Sequence, residues 1–147
     1  LHHAIRRSCE IKAAVVAADE RERGQRALLN LGHTIGHAIE RCAGYGEWLH
    51  CEAVAAGICM AARISHKLGW LGEDEARRTA SVFERLRLPV EPPDLDPREF
   101  LAAMSMDKKV LAGAIRLVLL KSIGDAIVTS DYPDHLLLDE LRAAFMA

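Results

Sequence analysis

The sequence predicts a mainly α, multi-helical domain with a small antiparallel β-hairpin near its C-terminus. Two observations carry that expectation. Apolar residues recur at helical spacing through nearly everything before Asp107. Only after Asp107-Lys108-Lys109 does the texture change, to two short apolar runs (residues 115–120 and 126–129) around Ile123-Gly124-Asp125, which fits two strands and a turn. A chain of 147 residues, 50% apolar and 27% charged, suits one soluble domain spanning residues 1–147 with a core of its own.

Taken in order, residues 1–18 place Ile5, Ile11, Val15 and Val16 at roughly helical intervals, and the charged run from Asp19 to Gly24 is a connector. Residues 26–42 read as a second helix through Leu28, Leu29, Ile35 and Ile39, despite Gly32 and Gly36. Each interior glycine costs a helix about 1 kcal/mol against alanine, which points to close packing or a bound ligand there. Gly44-Tyr45-Gly46 makes a turn, and an alanine-rich third helix runs over residues 51–67 to a stop at Gly69. Residues 73–87 form a fourth helix, and Pro92 and Pro93 then impose an extended connection. Pro97 opens a short helix over residues 97–106, and residues 134–145 close the chain as a helix.

Composition excludes several classes. The net charge is -2 with the two signs interspersed, so no basic stripe addresses nucleic acid or an anionic membrane surface. The apolar stretches fall far short of the roughly 20 residues that span a bilayer, and the first residues lack the pattern of a signal peptide. Cys9, Cys42, Cys51 and Cys59 follow no CxxC spacing and read as reduced thiols, so a cytoplasmic setting is expected.

The densest polar cluster is Asn30-Leu-Gly-His33-Thr-Ile-Gly-His37, followed by His50 at the start of the next helix. Four-residue spacing on a helix puts His33 and His37 on one face. Two imidazoles from one helix and one from a neighbour make a sensible zinc-type set. HxxxH alone is weak, but these histidines sit among Leu, Ile, Ala and Gly, where an imidazole needs a buried partner or a metal. His2, His3, His66 and His135 lack such company and read as exposed or capping residues. Lys12, Arg26, Lys108 and Lys109 are each ordinary solvated cations taken singly; converging near a metal they would bind an anionic substrate.

The runs Gly24-Gln-Arg26, Leu29-Asn30-Leu-Gly-His33-Thr-Ile-Gly-His37-Ala-Ile-Glu40, Trp48-Leu-His50 and Glu52-Ala-Val-Ala-Ala-Gly57, with Lys12 before them and Asp107-Lys108-Lys109 after, resemble the C-terminal domain of 3-dehydroquinate synthases in order and spacing. The resemblance implies the dehydroquinate synthase-like helical fold and an NAD- and metal-dependent phosphate lyase. That family converts 3-deoxy-D-arabino-heptulosonate 7-phosphate (DAHP) to 3-dehydroquinate and phosphate, a step of the shikimate pathway of aromatic amino acid biosynthesis. It further implies that His33 and His50 ligate Zn2+ (or Co2+), while His37 binds substrate and handles protons. Lys12, Arg26 and Asn30 would hold the substrate at the catalytic centre, and one of Lys108 and Lys109 would meet its phosphate. A homodimer is implied as well.

Two departures accompany the resemblance. Cys51 stands where the family usually has glycine beside the ligand histidine. No glycine-rich phosphate loop follows a strand in this sequence, so the NAD-binding N-terminal domain, and the glutamate that is the family's third zinc ligand, are expected outside it. A fragment of this kind is expected to be inactive alone. Two alternatives stay open at this point: another sugar-phosphate cyclase of the same superfamily, and a non-catalytic helical metal-binding module.

Overall fold

The computed structural model describes residues 2–20, 24–44, 46–106 and 115–145. It contains six α-helices among those residues: α1 (His2–Ala18), α2 (His33–Ala43), α3 (His50–Lys67), α4 (Glu73–Arg85), α5 (Pro97–Ser105) and α6 (Asp134–Phe145). A 3-10 helix covers Gln25–Asn30, and strands β1 (Leu117–Ser122) and β2 (Asp125–Thr129) form an antiparallel hairpin. The architecture is thus mainly helical with one C-terminal hairpin, as the sequence predicts. Contacts group the chain into two compact units, Leu1–Asn30 and Leu31–Ala147.

In the first unit α1 buries none of its residues, and Ile5 and Ile11 are exposed. The Asp19 carboxylate organises the entry to the 3-10 helix. Its Oδ2 accepts from the backbone N–H of Gly24 at 2.8 Å and of Arg26 at 3.1 Å, the second within the first turn of that helix.

The second unit is built on an antiparallel pair, α2 against α3. Gly32, Gly36 and Gly57 set their approach. A Cβ on Gly57 would lie 2.3 Å from the Gly32 carbonyl oxygen, and one on Gly36 would lie 3.1 Å from the Val54 backbone. Gly32 also has φ 77°, which a residue with a side chain rarely adopts. That left-handed residue corrects the single helix expected over residues 26–42. The segment is instead a 3-10 helix followed by an α-helix that begins only at His33.

The core draws Ile35 and Ile39 from α2, Met60 and Ile64 from α3, Phe100 and Met104 from α5, Leu117 and Leu119 from β1, and Leu137, Leu141 and Phe145 from α6. The Phe100 and Phe145 rings meet edge to face at 5.2 Å, the geometry that aromatic quadrupoles favour. Buried Ser65 joins α3 to the hairpin. Its hydroxyl donates to the Ala61 carbonyl at 2.7 Å and accepts from the Leu120 N–H at 2.9 Å.

The ends of the elements reflect local chemistry. Asp96 caps α5 by accepting from Arg98 N at 2.8 Å and Glu99 N at 3.0 Å, with Pro97 in the first turn. Gly69, at φ 72°, turns the chain out of α3. Glu75 of α4 reaches the hairpin turn, accepting from Ile123 N at 3.1 Å. The hairpin turn is Ile123-Gly124, with Leu120 opposite Ala126 and an irregularity between Leu120 and Ser122.

Candidate metal centre

Three imidazoles converge where α2 and α3 run side by side. His33 and His37 are one turn apart on α2, with ring centroids 5.7 Å apart. His50, the first residue of α3, lies 5.4 Å from His33 and 5.6 Å from His37. The glycine contacts make this possible, because they let two backbones run close enough for side chains on both helices to share one space. The neighbouring residues in the sequence suggest apolar surroundings for these rings. In the structure His33 is half-buried, and His37 and His50 are exposed. They gather at the rim of the helix pair while Ile35, Ala38 and Ile39 of the same helix turn inward.

Two of the rings are held in the same way. Nδ1 of His33 is 3.2 Å from the Leu31 carbonyl oxygen, and Nδ1 of His50 is 3.1 Å from Oε2 of Glu40. A carbonyl only accepts, and so does an ionised carboxylate. Each hydrogen bond therefore puts a proton on Nδ1, which in a neutral imidazole makes Nε2 the lone-pair nitrogen.

Glu40 received no role from the sequence beyond its place in the motif. The signal was there: it lies three residues after His37, on the same helix face. Donor atoms of His37, Glu40 and His50 all lie within 4.8 Å of one another. This set differs from the His33 and His50 pair that the resemblance implies. The proximity of Glu40 to His50 is that of a hydrogen bond, so it does not require both to bind one ion.

The other expected site residues fall elsewhere. Lys12 and Arg26 belong to the first unit, with Lys12 exposed and the Arg26 guanidinium donating to the Glu20 carbonyl at 2.6 Å. Asn30, also in the first unit, donates from Nδ2 to the Ala27 carbonyl at 3.3 Å. Because a 3-10 helix turns every three residues, Arg26 and Asn30, four apart, do not share one face of it. Lys108 and Lys109 lie outside the described residues. Cys51 is exposed, so the departure from glycine places no side chain in the core. His2, His3, His66 and His135 are all exposed, and His66 contacts the Leu71 carbonyl at 3.0 Å.

The fold and this rim define a helical domain with a histidine-rich candidate metal centre. Its sequence matches the family model "3-dehydroquinate synthase C-terminal" over residues 1–110. The chain belongs to that family. It is 55% identical over its full length to a 3-dehydroquinate synthase of Pseudomonas fluorescens, and 52% identical to one of Acinetobacter baylyi. It spans about 40% of the length of each of these curated relatives. Among solved structures it is similar to a 2-epi-5-epi-valiolone synthase of Streptomyces hygroscopicus subsp. jinggangensis with NAD+ and Zn2+ bound, at TM-score 0.79 and 29% identity, covering 96% of this chain and 38% of that one. A 2-deoxy-scyllo-inosose synthase complexed with carbaglucose-6-phosphate, NAD+ and Co2+ shares the fold at TM-score 0.77 and 24% identity, covering 90% of this chain and 39% of that one. Among the described residues no helix is long and apolar enough to cross a membrane.

Proposed function

We propose that this chain is the metal- and substrate-binding part of a 3-dehydroquinate synthase, converting DAHP to 3-dehydroquinate and phosphate. The observation that carries the reading is the imidazole cluster, standing on the family's own motif in a chain 55% identical to a named synthase. The donor set fits a zinc-type ion, since neutral imidazole nitrogens are among its preferred ligands. His33 and His50 are the ligands in this reading, supported by the Nδ1 contacts that orient both rings and make Nε2 the lone-pair nitrogen of each neutral imidazole. A bound Zn2+ or Co2+ supplies Lewis acidity to a substrate hydroxyl. His37, exposed beside both ligands, takes or returns a proton at its imidazole. Lys12, Arg26 and Asn30 hold the substrate, with Lys108 or Lys109 on its phosphate; fixing both charged ends keeps one pose through successive steps.

NAD and the further metal ligand belong, in this proposal, to the part of the relatives outside the matched 40%. Residues 1–147 would form the C-terminal domain of a cytoplasmic homodimer. A second reading, a cyclase acting on a different sugar phosphate, is favoured by the likeness to the valiolone synthase. The near-twofold higher identity to dehydroquinate synthases makes it the weaker one.

The decisive experiment is a chimera in which this chain replaces the matched part of the Pseudomonas fluorescens relative. It should release phosphate from DAHP, whereas the 147-residue chain alone should not. Zinc analysis of the chimera should show His33→Ala and His50→Ala losing metal and turnover together, and His37→Ala keeping most metal while losing turnover. A chimera that takes up zinc but turns over no DAHP would overturn the catalytic reading. Equal metal loss in His37→Ala and His33→Ala would overturn the division of roles.

A further inference from the structure

We propose that Glu40 is a positioning residue of the metal centre, holding the His50 ring through Nδ1 so that Nε2 faces the ion, without itself coordinating. This rests on the reading of His50 as a ligand. His50 begins α3 with its side chain 54% exposed, so packing alone does not fix the ring. Glu40, on α2 and only 21% exposed, supplies that restraint across the intervening loop at 3.1 Å. As an acceptor, the carboxylate selects the Nδ1–H tautomer. Carboxylate–imidazole–metal arrangements of this kind also make the ligand nitrogen more basic.

The competing arrangement has Glu40 ligating directly, since its oxygen lies within 4.8 Å of donor atoms of both His37 and His50. For an ion on Nε2, the lone-pair nitrogen of the Nδ1–H tautomer, the ring geometry argues against it. The two nitrogens of an imidazole direct their in-plane bonds away from each other. An oxygen on Nδ1 and an ion on Nε2 therefore lie on opposite sides of the ring. Glu40 would have to abandon His50 to reach such an ion.

Long-range 1H–15N NMR of the metal-free 147-residue chain reads the tautomer directly. His50 should carry its proton on Nδ1 in the wild type and shift toward Nε2 in Glu40→Ala. Glu40→Gln, whose amide oxygen still accepts, should retain the wild-type tautomer. Zinc titration against a chromophoric chelator should then show Glu40→Ala weakened by about 10- to 100-fold and Glu40→Gln by less. His50→Ala should lose the site. An Nε2–H tautomer in the wild type, or unchanged zinc affinity in Glu40→Ala, overturns the positioning role. Glu40→Gln losing zinc as completely as His50→Ala would make Glu40 a ligand and overturn it too. His50→Ala binding zinc as the wild type does would instead overturn the underlying ligand reading, and the tautomer spectra distinguish that failure from the others.

Discussion

Cys59 lies buried in α3, and burial pushes its thiol from the ordinary 9.0 up to about 11. Arg63 pulls the other way, while Glu91 and Glu84 reinforce the rise. The folded state thus binds the thiol proton more tightly than the unfolded state. The stability this contributes is complete below pH 9 and is lost as pH climbs through about 11. Urea midpoints should fall over that window more steeply in the wild type than in Cys59→Ala. Iodoacetamide at pH 8 should label exposed Cys9 and Cys51 and spare Cys59, as mass spectrometry of tryptic peptides would show. Rapid labelling of Cys59 in the folded chain would contradict this. The same scale shows how much of the site is legible in the sequence. Helical spacing pairs His33 with His37, and it is their apolar company and the nearness of His50 in the sequence that make the three a group. None of this ranks them, since a ligand role depends on what holds each ring's other nitrogen. The Leu31 carbonyl contact is local but depends on the backbone around left-handed Gly32, and the Glu40 carboxylate reaches His50 only because α3 packs against α2.

Helices α1, α3, α4, α5 and α6 are legible to within a few residues, and so is the hairpin, whose first strand begins at Leu117 rather than residue 115. The failure comes at residues 26–42, where a continuous apolar pattern conceals a break. Periodicity reports which residues face inward, but not whether the backbone between them turns left-handed, as Gly32 does at φ 77°. The sequence does flag these glycines as costly, and the cost is offset by the close approach of α2 and α3. Gly57→Ala tests that account. Its Cβ would meet the backbone of Gly32 at 2.3 Å and of Gly36 at 3.1 Å, and neither can rotate away as a side chain would. The helices must separate, at a cost of about 1–3 kcal/mol for overpacking. His50 would then shift relative to His33 and His37, so zinc affinity should fall together with the urea midpoint. A variant as stable and as zinc-avid as the wild type would show that the glycines do not set the spacing.

Across the second unit as a whole, one ion network ties the end of α3 to α6. Glu140 is buried, only 2% exposed, and accepts from Arg63 Nε and from Lys67 Nζ, the latter at 2.7 Å. Arg63 also grips Glu91 of the proline-rich connector through two bonds of 2.9 Å. Nothing in the sequence signals this, because Arg63 and Glu140 lie 77 residues apart and either alone looks like a solvated charge. Glu140→Ala removes the carboxylate that both cations face. Stripping one partner from a fully buried pair typically costs about 3–5 kcal/mol. Here Arg63 and Lys67 are 28% and 35% exposed, so water can take over part of the solvation. A loss of about 1–3 kcal/mol is expected in urea denaturation. Amide exchange should accelerate most in α6, whose Leu137, Leu141 and Phe145 would dock less firmly. The network sits around Arg63 and Lys67, whereas His50 is at the opposite end of the same 18-residue helix. At 1.5 Å per residue His50 is about 20 Å from Arg63 and about 25 Å from Lys67, beyond the range at which side-chain substitutions usually couple. Glu140→Ala should therefore weaken the fold while leaving zinc affinity within about twofold of wild type. A large drop in zinc affinity in a variant that still shows the wild-type circular dichroism spectrum would mean that α3 carries strain from one end to the other.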